Sequence, residues 1–186
     1  MSKSIAIFSK KGGVGKSSLA HSIARDLGYY LVSNDDSVIE DSYEGMAAIM
    51  KEIKPIEGHN VVYDLGGFVD KNVIDILRYS DLIIVPTIAD INSFKRTINT
   101  VKEISDLNKN ILIIGNIVKG KEQIEFIKEY IPTTQFFIRD SKILQRAFIE
   151  KKSVTEIVNE SNFNKYIYRN IFEDYSRLLN YINEEV

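Results

Sequence analysis

The sequence predicts a three-layer α/β fold with a mostly parallel central sheet flanked by helices, and three observations support that expectation. Short apolar runs recur along the chain, stretches with helical spacing separate them, and the runs are apolar at nearly every position. Strands of that kind are buried on both faces, and connections of helical length suit parallel pairing with right-handed crossovers. The first strand is read at "SIAIF" (4 to 8), followed by a helix carrying Leu19, Ile23 and Leu27 on one face. The second strand, "YYLVS" (29 to 33), is followed by a stretch with room for about one helix, "YEGMAAIMKEI". "NVVYDL" (60 to 65) and "DLIIVP" (81 to 86) come next, then a helix with Ile98, Val101, Ile104 and Leu107 on its stripe. "NILIIGN" (110 to 116) is the fifth strand, and Pro132 with the turn "PTT" divides a helix from the last, "TQFFI" (134 to 138). From Asn162 to Ile182 a stripe of Phe163, Ile167, Ile171, Leu178 and Ile182 predicts a helix packed on the sheet.

Composition narrows the class. At 186 residues the chain suits a single domain spanning 1–186, and 44% hydrophobic with 27% charged residues is the balance of a globular protein. Lys and Arg total 24 against 26 Asp and Glu, so a net charge of -2 does not by itself attract DNA or acidic membranes; any such binding needs a local patch. With no cysteine, disulfides, thiolate metal sites and cysteine nucleophiles are excluded. His21 and His59 lie far apart with no third ligand pattern, so no transition-metal site is expected. Tyr29, Tyr30, Tyr63 and Phe94 are expected in the interior or at its rim. No apolar run approaches a membrane span, and the first residues form too short an apolar stretch for a signal peptide, so a cytoplasmic location is expected.

The stretch "SKKGGVGKSSLA" (9 to 20) joins the first strand to the first helix with too many glycines for either. A turn that brings backbone N–H groups close to an anion needs glycine for the approach and the dihedrals, which Gly12, Gly13 and Gly15 supply. Lys16 then reaches the β- and γ-phosphates of a nucleotide, Ser17 offers a hydroxyl to Mg²⁺, and the following helix points its positive end at the phosphates. This is a P-loop, and the fold is expected to be that of a P-loop NTPase. Downstream, "VVYDLGG" ends an apolar strand in Asp64, which can hold a Mg²⁺ water, while D-x-x-G sets the amide of Gly67 near the γ-phosphate.

The ordinary P-loop spacing would put glycine at position 10, where this chain has Lys10. What stands instead, K-G-G-V-G-K-S at 11 to 17, resembles the deviant Walker A pattern of the ParA/MinD family, most closely small plasmid-partition ATPases. The resemblance runs from residue 4 to about 158. It implies that Lys11 is a signature lysine, crossing a homodimer interface to the partner's ATP, and that Gly12, Gly13, Val14, Gly15, Lys16, Ser17 and Ser18 cradle the phosphates. It also implies a carboxylate beside the attacking water. The family commonly writes D-x-D-P-Q after the second strand; here "SNDDS" aligns Asn34 with the first Asp and Asp36 with the second, Asp35 being the alternative and simple solvation of a turn the rival. The family more often shows D-T-P-[PA] where this chain has D-L-G-G, and its segment between Asp36 and Asp64 is usually longer. Asn116 stands where the family has an adenine-reading asparagine, with capping of the strand–helix turn as the rival reading. "DLIIVPTIADINSFK" and "FFIRDSKILQRAFIEKKSVTEI" match further family segments, the latter including the base-side loop.

In function, the resemblance implies an ATP- and Mg²⁺-dependent cycle. ATP-bound dimers adhere non-specifically to DNA of the nucleoid, a ParB-type adaptor stimulates hydrolysis, and ADP-bound monomers leave. Candidate DNA contacts are Lys142, Arg146, Lys151 and Lys152, for which a solvated mixed-charge face is an equal reading. The first strand begins at residue 4, so an N-terminal helix-turn-helix and operator binding are not expected. The end, "FEDYSRLLNYINEEV", is acidic where a membrane-binding helix would be basic, so no membrane recruitment is expected. A positioning scaffold for a protein cargo shares every motif. A dethiobiotin-synthetase-like ligase is a further alternative that leaves Lys11 unexplained.

Overall fold

The computed structural model describes residues 2–34, 47–49, 54–67 and 71–185. Among the described residues seven strands form one sheet: β1 (Ser4–Ser9), β2 (Tyr30–Ser33), β3 (Ala47–Ile49), β4 (Val61–Gly66), β5 (Leu82–Thr87), β6 (Ile111–Val118) and β7 (Phe136–Arg139). Their spatial order is β3-β2-β4-β1-β5-β6-β7, and the pairs are parallel throughout. The chain builds one side of β1 first and then crosses to the other. In open parallel sheets such a switch point leaves a crevice at the carboxyl ends of the strands, where ligands bind.

Helices cover both faces, as strands apolar on both sides require. One face carries α1 (Lys16–Leu27) and a C-terminal group, α5 (Ile143–Glu150), α6 (Val154–Asn159), α7 (Asn162–Ile167) and α8 (Arg169–Glu185). Leu19 and Ile23 of α1 meet Ile5 and Ile7 of β1, Val62 of β4, and Ile171, Tyr175 and Leu178 of α8 in one buried cluster. On the opposite face, α2 (Lys71–Tyr79) and α3 (Ile91–Ile104) cover Ala6, Phe8, Tyr63 and Leu65. A smaller cluster joins Phe94 of α3 to Ile113 of β6 and to Ile127 of α4 (Lys121–Tyr130). The result is the three-layer arrangement read from the sequence.

Two expectations are corrected. The segment expected to hold one helix contains a strand: Ala47, Ala48 and Ile49 pair in parallel with Leu31, Val32 and Ser33. Alanine favours helices, but the edge of β2 offers backbone N–H and C=O groups, and tertiary pairing overrides propensity there. The C-terminal stripe is also not one helix. It breaks at Tyr168, which caps α7, so Phe163 (69% exposed) and Ile167 face outward while Ile171, Leu178 and Ile182 stay in the core. Of the four aromatic residues assigned to the interior or rim, Tyr29, Tyr63 and Phe94 are buried, whereas Tyr30 is exposed.

Candidate functional site

The loop after β1 is built from backbone conformations that favour glycine. Gly13 and Gly15 have φ of 77° and 78°, in the left-handed region. A Cβ added at Gly12 or Gly13 would meet nothing within 4 Å, so there is open room beside the loop backbone. The backbone N–H of Lys11 donates to Ser9 Oγ at 3.1 Å, which folds the loop back on the end of β1. Lys10, the residue in the place of glycine, is ion-paired with Glu103 of α3. Val14 is buried beneath the loop, whereas Lys11, Lys16, Ser17 and Ser18 are half-buried and Gly12 and Gly13 exposed. Helix α1 begins at Lys16 with no side chain capping its first turn, so the N–H groups there are available to an anion.

Lys16 extends across to the end of β4. A Cβ placed on Gly66 would lie 3.7 Å from Lys16 Cε and 3.9 Å from its Nζ. Two residues earlier, Asp64 is 2% exposed. It alternates with Tyr63 and Leu65, which face α2 and α3, so Asp64 shares the α1 side of the sheet with Val62. The structure therefore brings a lysine, a first-turn serine and a buried carboxylate to one face of the sheet's carboxyl end. Gly67, in the left-handed region at φ 86°, follows with open space beside it. Cationic lysine, uncapped amides, open glycines and a carboxylate make a set that fits a nucleotide's phosphates and a divalent cation.

Two asparagines tie this end together. Asn34 donates from Nδ2 to the Gly66 carbonyl at 3.0 Å and accepts from the Gly66 N–H on Oδ1 at 2.9 Å. Sequence reasoning had matched Asn34 only to a family aspartate; its two-sided amide at a strand end was the available signal. Asn116 is 1% exposed, and its Nδ2 donates to the Val14 carbonyl at 2.8 Å. In this structure it is a strut under the P-loop, not the open amide edge expected for reading a base, because the end of β6 lies directly against Gly15. A cavity of about 440 Å³ opens nearby at the ends of β6 and β7, lined by Lys119, Lys121, Arg139 and Asp140 among others. Asp36 and its alternative Asp35 lie outside the described residues.

Of the two readings of Lys142, Arg146, Lys151 and Lys152, Arg146 and Lys152 follow the mixed-charge one. Arg146 pairs with Glu150 at 2.6 Å and Glu160 at 2.8 Å, and Lys152 pairs with both carboxylates. Hydrogen bonding from Arg146 holds the Glu150 carboxyl below its ordinary range, and Lys152 does the same for Glu160. Lys142 stands at the start of α5, where its carbonyl accepts from the Arg146 N–H at 2.8 Å, and Lys151 ends the helix in a left-handed conformation. Two of the four candidate DNA contacts are thus committed to internal carboxylates.

No family profile and no curated relative matches the chain. Solved structures do. Apo McdA of Cyanothece superposes with a TM-score of 0.71 at 13% identity, covering 95% of this chain and 97% of its own. The chain has the fold of the ParA/MinD-type ATPases. MinD of Pyrococcus horikoshii, complexed with Mg-ADP, shares this fold at a TM-score of 0.67 and 15% identity, over 98% and 96% of the two chains. A plasmid partition protein of Borrelia burgdorferi B31 bound to AMPPNP shares it at 0.65 and 18%, over 95% and 99%.

Proposed function

We propose that the chain is an ATP-dependent dimerising switch ATPase that partitions DNA, with a plasmid as the leading cargo. The observation carrying this reading is the meeting of Lys16, the uncapped first turn of α1 and buried Asp64 at one end of the sheet. Gly12 to Ser18 hold the triphosphate, Ser17 and Asp64 hold Mg²⁺, the latter through water, and Gly67 approaches the γ-phosphate. Mg-ATP, when bound, supplies the phosphoanhydride whose cleavage is the reaction. Lys16 neutralises charge there, Lys11 serves the partner subunit's nucleotide, and Asp36 stands by the attacking water. Asn116 is retained as a base-side residue only if it releases Val14.

Without an added cation, hydrolysis in comparable P-loop switches runs at the order of 10⁻⁴ to 10⁻² per second, which makes a timer. An adaptor of the ParB type would then set the rate, and the ATP state would sit on the nucleoid. The similarity to a plasmid partition protein bound to AMPPNP supports both the nucleotide and the cargo. The pairing of Arg146 and Lys152 with carboxylates favours a second reading, a positioning scaffold for a protein cargo. Among the described residues no helix is long and apolar enough to cross a membrane.

Fluorescence anisotropy of a random-sequence duplex, titrated with protein and Mg²⁺ in ATP or ADP at two salt concentrations, separates these readings. Salt-sensitive binding with ATP alone is expected for partition. No binding in either state transfers the assignment to the scaffold. Lys11→Ala is expected to bind ATP but fail to dimerise productively, and Asp36→Ala to accumulate an ATP dimer that does not turn over.

A further inference from the structure

The end of β6 carries a backbone irregularity that the nucleotide site does not by itself require. Gly115 pairs with Phe137 and Val118 with Arg139, so β6 holds one residue more than β7 between the two pairs. Ile117 sits in that bulge at φ 55°. A β-branched side chain is strongly disfavoured in the left-handed region, and such a conformation persists only where its surroundings fix it. Here they do. A Cβ on Gly115 would come within 2.7 Å of the Phe137 ring and 3.0 Å of Ile127, so the strand is held tightly on one side of the bulge. On the other side the Val118 carbonyl accepts from the Asp140 N–H at 2.9 Å.

In a regular strand successive side chains point to opposite faces. The bulge cancels that alternation, and Asn116 and Ile117 both arrive at the P-loop. A Cβ on Gly15 would lie 2.6 Å from Asn116 Nδ2 and 3.5 Å from Ile117 Cδ1. The Asn116 amide meanwhile holds the Val14 carbonyl. One residue thus grips the loop by its backbone while the next lies against the turn at Gly15.

We propose that Ile117 is a positioning residue: its left-handed bulge aims two consecutive side chains at the P-loop and holds that loop in shape before nucleotide arrives. The proposal rests on the reading of residues 11 to 18 as a nucleotide site. Bulges re-aim side chains beside functional sites in general. What is specific here is that the strained residue is isoleucine and that its own side chain completes the contact.

Lys10, Lys11 and Lys16 are trypsin sites within the loop, so its mobility can be read without any ligand. Native-state nicking at these lysines is compared among wild type, Ile117→Gly, which relieves the strain and removes the side chain, and Ile117→Leu, which keeps a δ-carbon. Nicking of nucleotide-free Ile117→Gly is expected to be about tenfold faster, at unchanged or raised Tm, with Ile117→Leu close to wild type. ADP affinity, measured with a fluorescent analogue, is expected to fall by about tenfold in Ile117→Gly and recover in Ile117→Leu. Equal nicking in all three proteins overturns the proposal, as does faster nicking that tracks a lowered Tm in both variants. If Ile117→Gly is too unstable to purify, Ile117→Asn, which tolerates the left-handed region and lacks the δ-carbon, supplies the nicking comparison with the same two outcomes. A wild type that binds no nucleotide, yet shows the nicking difference, overturns the reading of the site and leaves the brace standing.

Discussion

The two ends of the sheet use the same residue types for different purposes. At the amino end, polar side chains close on backbone or on each other. Asp81 Oδ2 accepts from the Ser4 N–H at 2.7 Å and from its hydroxyl at 2.9 Å, Asn60 Oδ1 accepts from the Lys3 N–H at 2.8 Å, and Asn108 Nδ2 donates to the carbonyls of Leu77 and Ser80 at 3.0 and 2.6 Å. At the carboxyl end, Asn34 closes on Gly66 at the end of β4 and Asn116 closes on Val14 beneath a loop of open glycines, with Lys16 and Ser17 at its rim. Polar residues at a strand end therefore do not mark a site on their own. A site is marked where charged groups and open glycines remain beyond the side chains that close on backbone.

Substitutions at the two ends should separate binding from stability. The largest effect is expected from Lys16→Ala, with nucleotide affinity falling by two orders of magnitude or more, about 3 kcal/mol, at nearly unchanged Tm; calorimetric titration with ADP reads it. Wild-type affinity in that variant would erase the contrast. Next is Gly15→Ala, where a Cβ meets Asn116 Nδ2 at 2.6 Å and φ is 78°. Backbone strain of about 1–2 kcal/mol should lower Tm by several degrees and weaken binding together. At the amino end, Asp81→Ala removes two hydrogen bonds and should cost about 1–2 kcal/mol, a fall in Tm of roughly 3–6 °C, with ADP affinity unchanged.

The smallest effect is expected away from both ends, in the Arg146 network. Glu150 and Glu160 are held below their ordinary range, so the stability they contribute is complete above the unfolded value, about 4.3, and is lost as pH falls through their folded values. Tm of wild type and of a Glu150→Gln/Glu160→Gln double variant should thus differ near neutrality and converge below about pH 4. The difference is small because the groups are on the surface.

The sheet and the P-loop were legible because each is written in local sequence. Continuous apolar runs report strands buried on both faces, and three glycines beside Lys16 have few other uses. Edge strand β3 was not legible, since what makes Ala47 to Ile49 extended is the vacant edge of β2 and not their own preference. The break at Tyr168 escaped for a related reason: the apolar stripe continues in period across it, and only the packing of α8 decides which part is buried. The sequence left Lys142, Arg146, Lys151 and Lys152 open between DNA contacts and a mixed-charge face, since only the fold brings Glu160 back onto Arg146 and Lys152. Ile117 gave no signal at all, its importance being a matter of register between two strands.

The paired hydrogen bonds of Asn34 to Gly66 have a consequence for engineering. A carboxamide that donates to the carbonyl and accepts from the N–H of one residue imitates a neighbouring strand, so the ladder between β2 and β4 gains a rung made by a side chain. Among the described residues it follows the backbone rung from the Asn34 N–H to the Asp64 carbonyl at 3.3 Å. A foreign loop spliced in after Asn34 would keep this rung, and the same graft carrying Asn34→Asp would lose its donated bond, because a carboxylate has no hydrogen to give the Gly66 carbonyl.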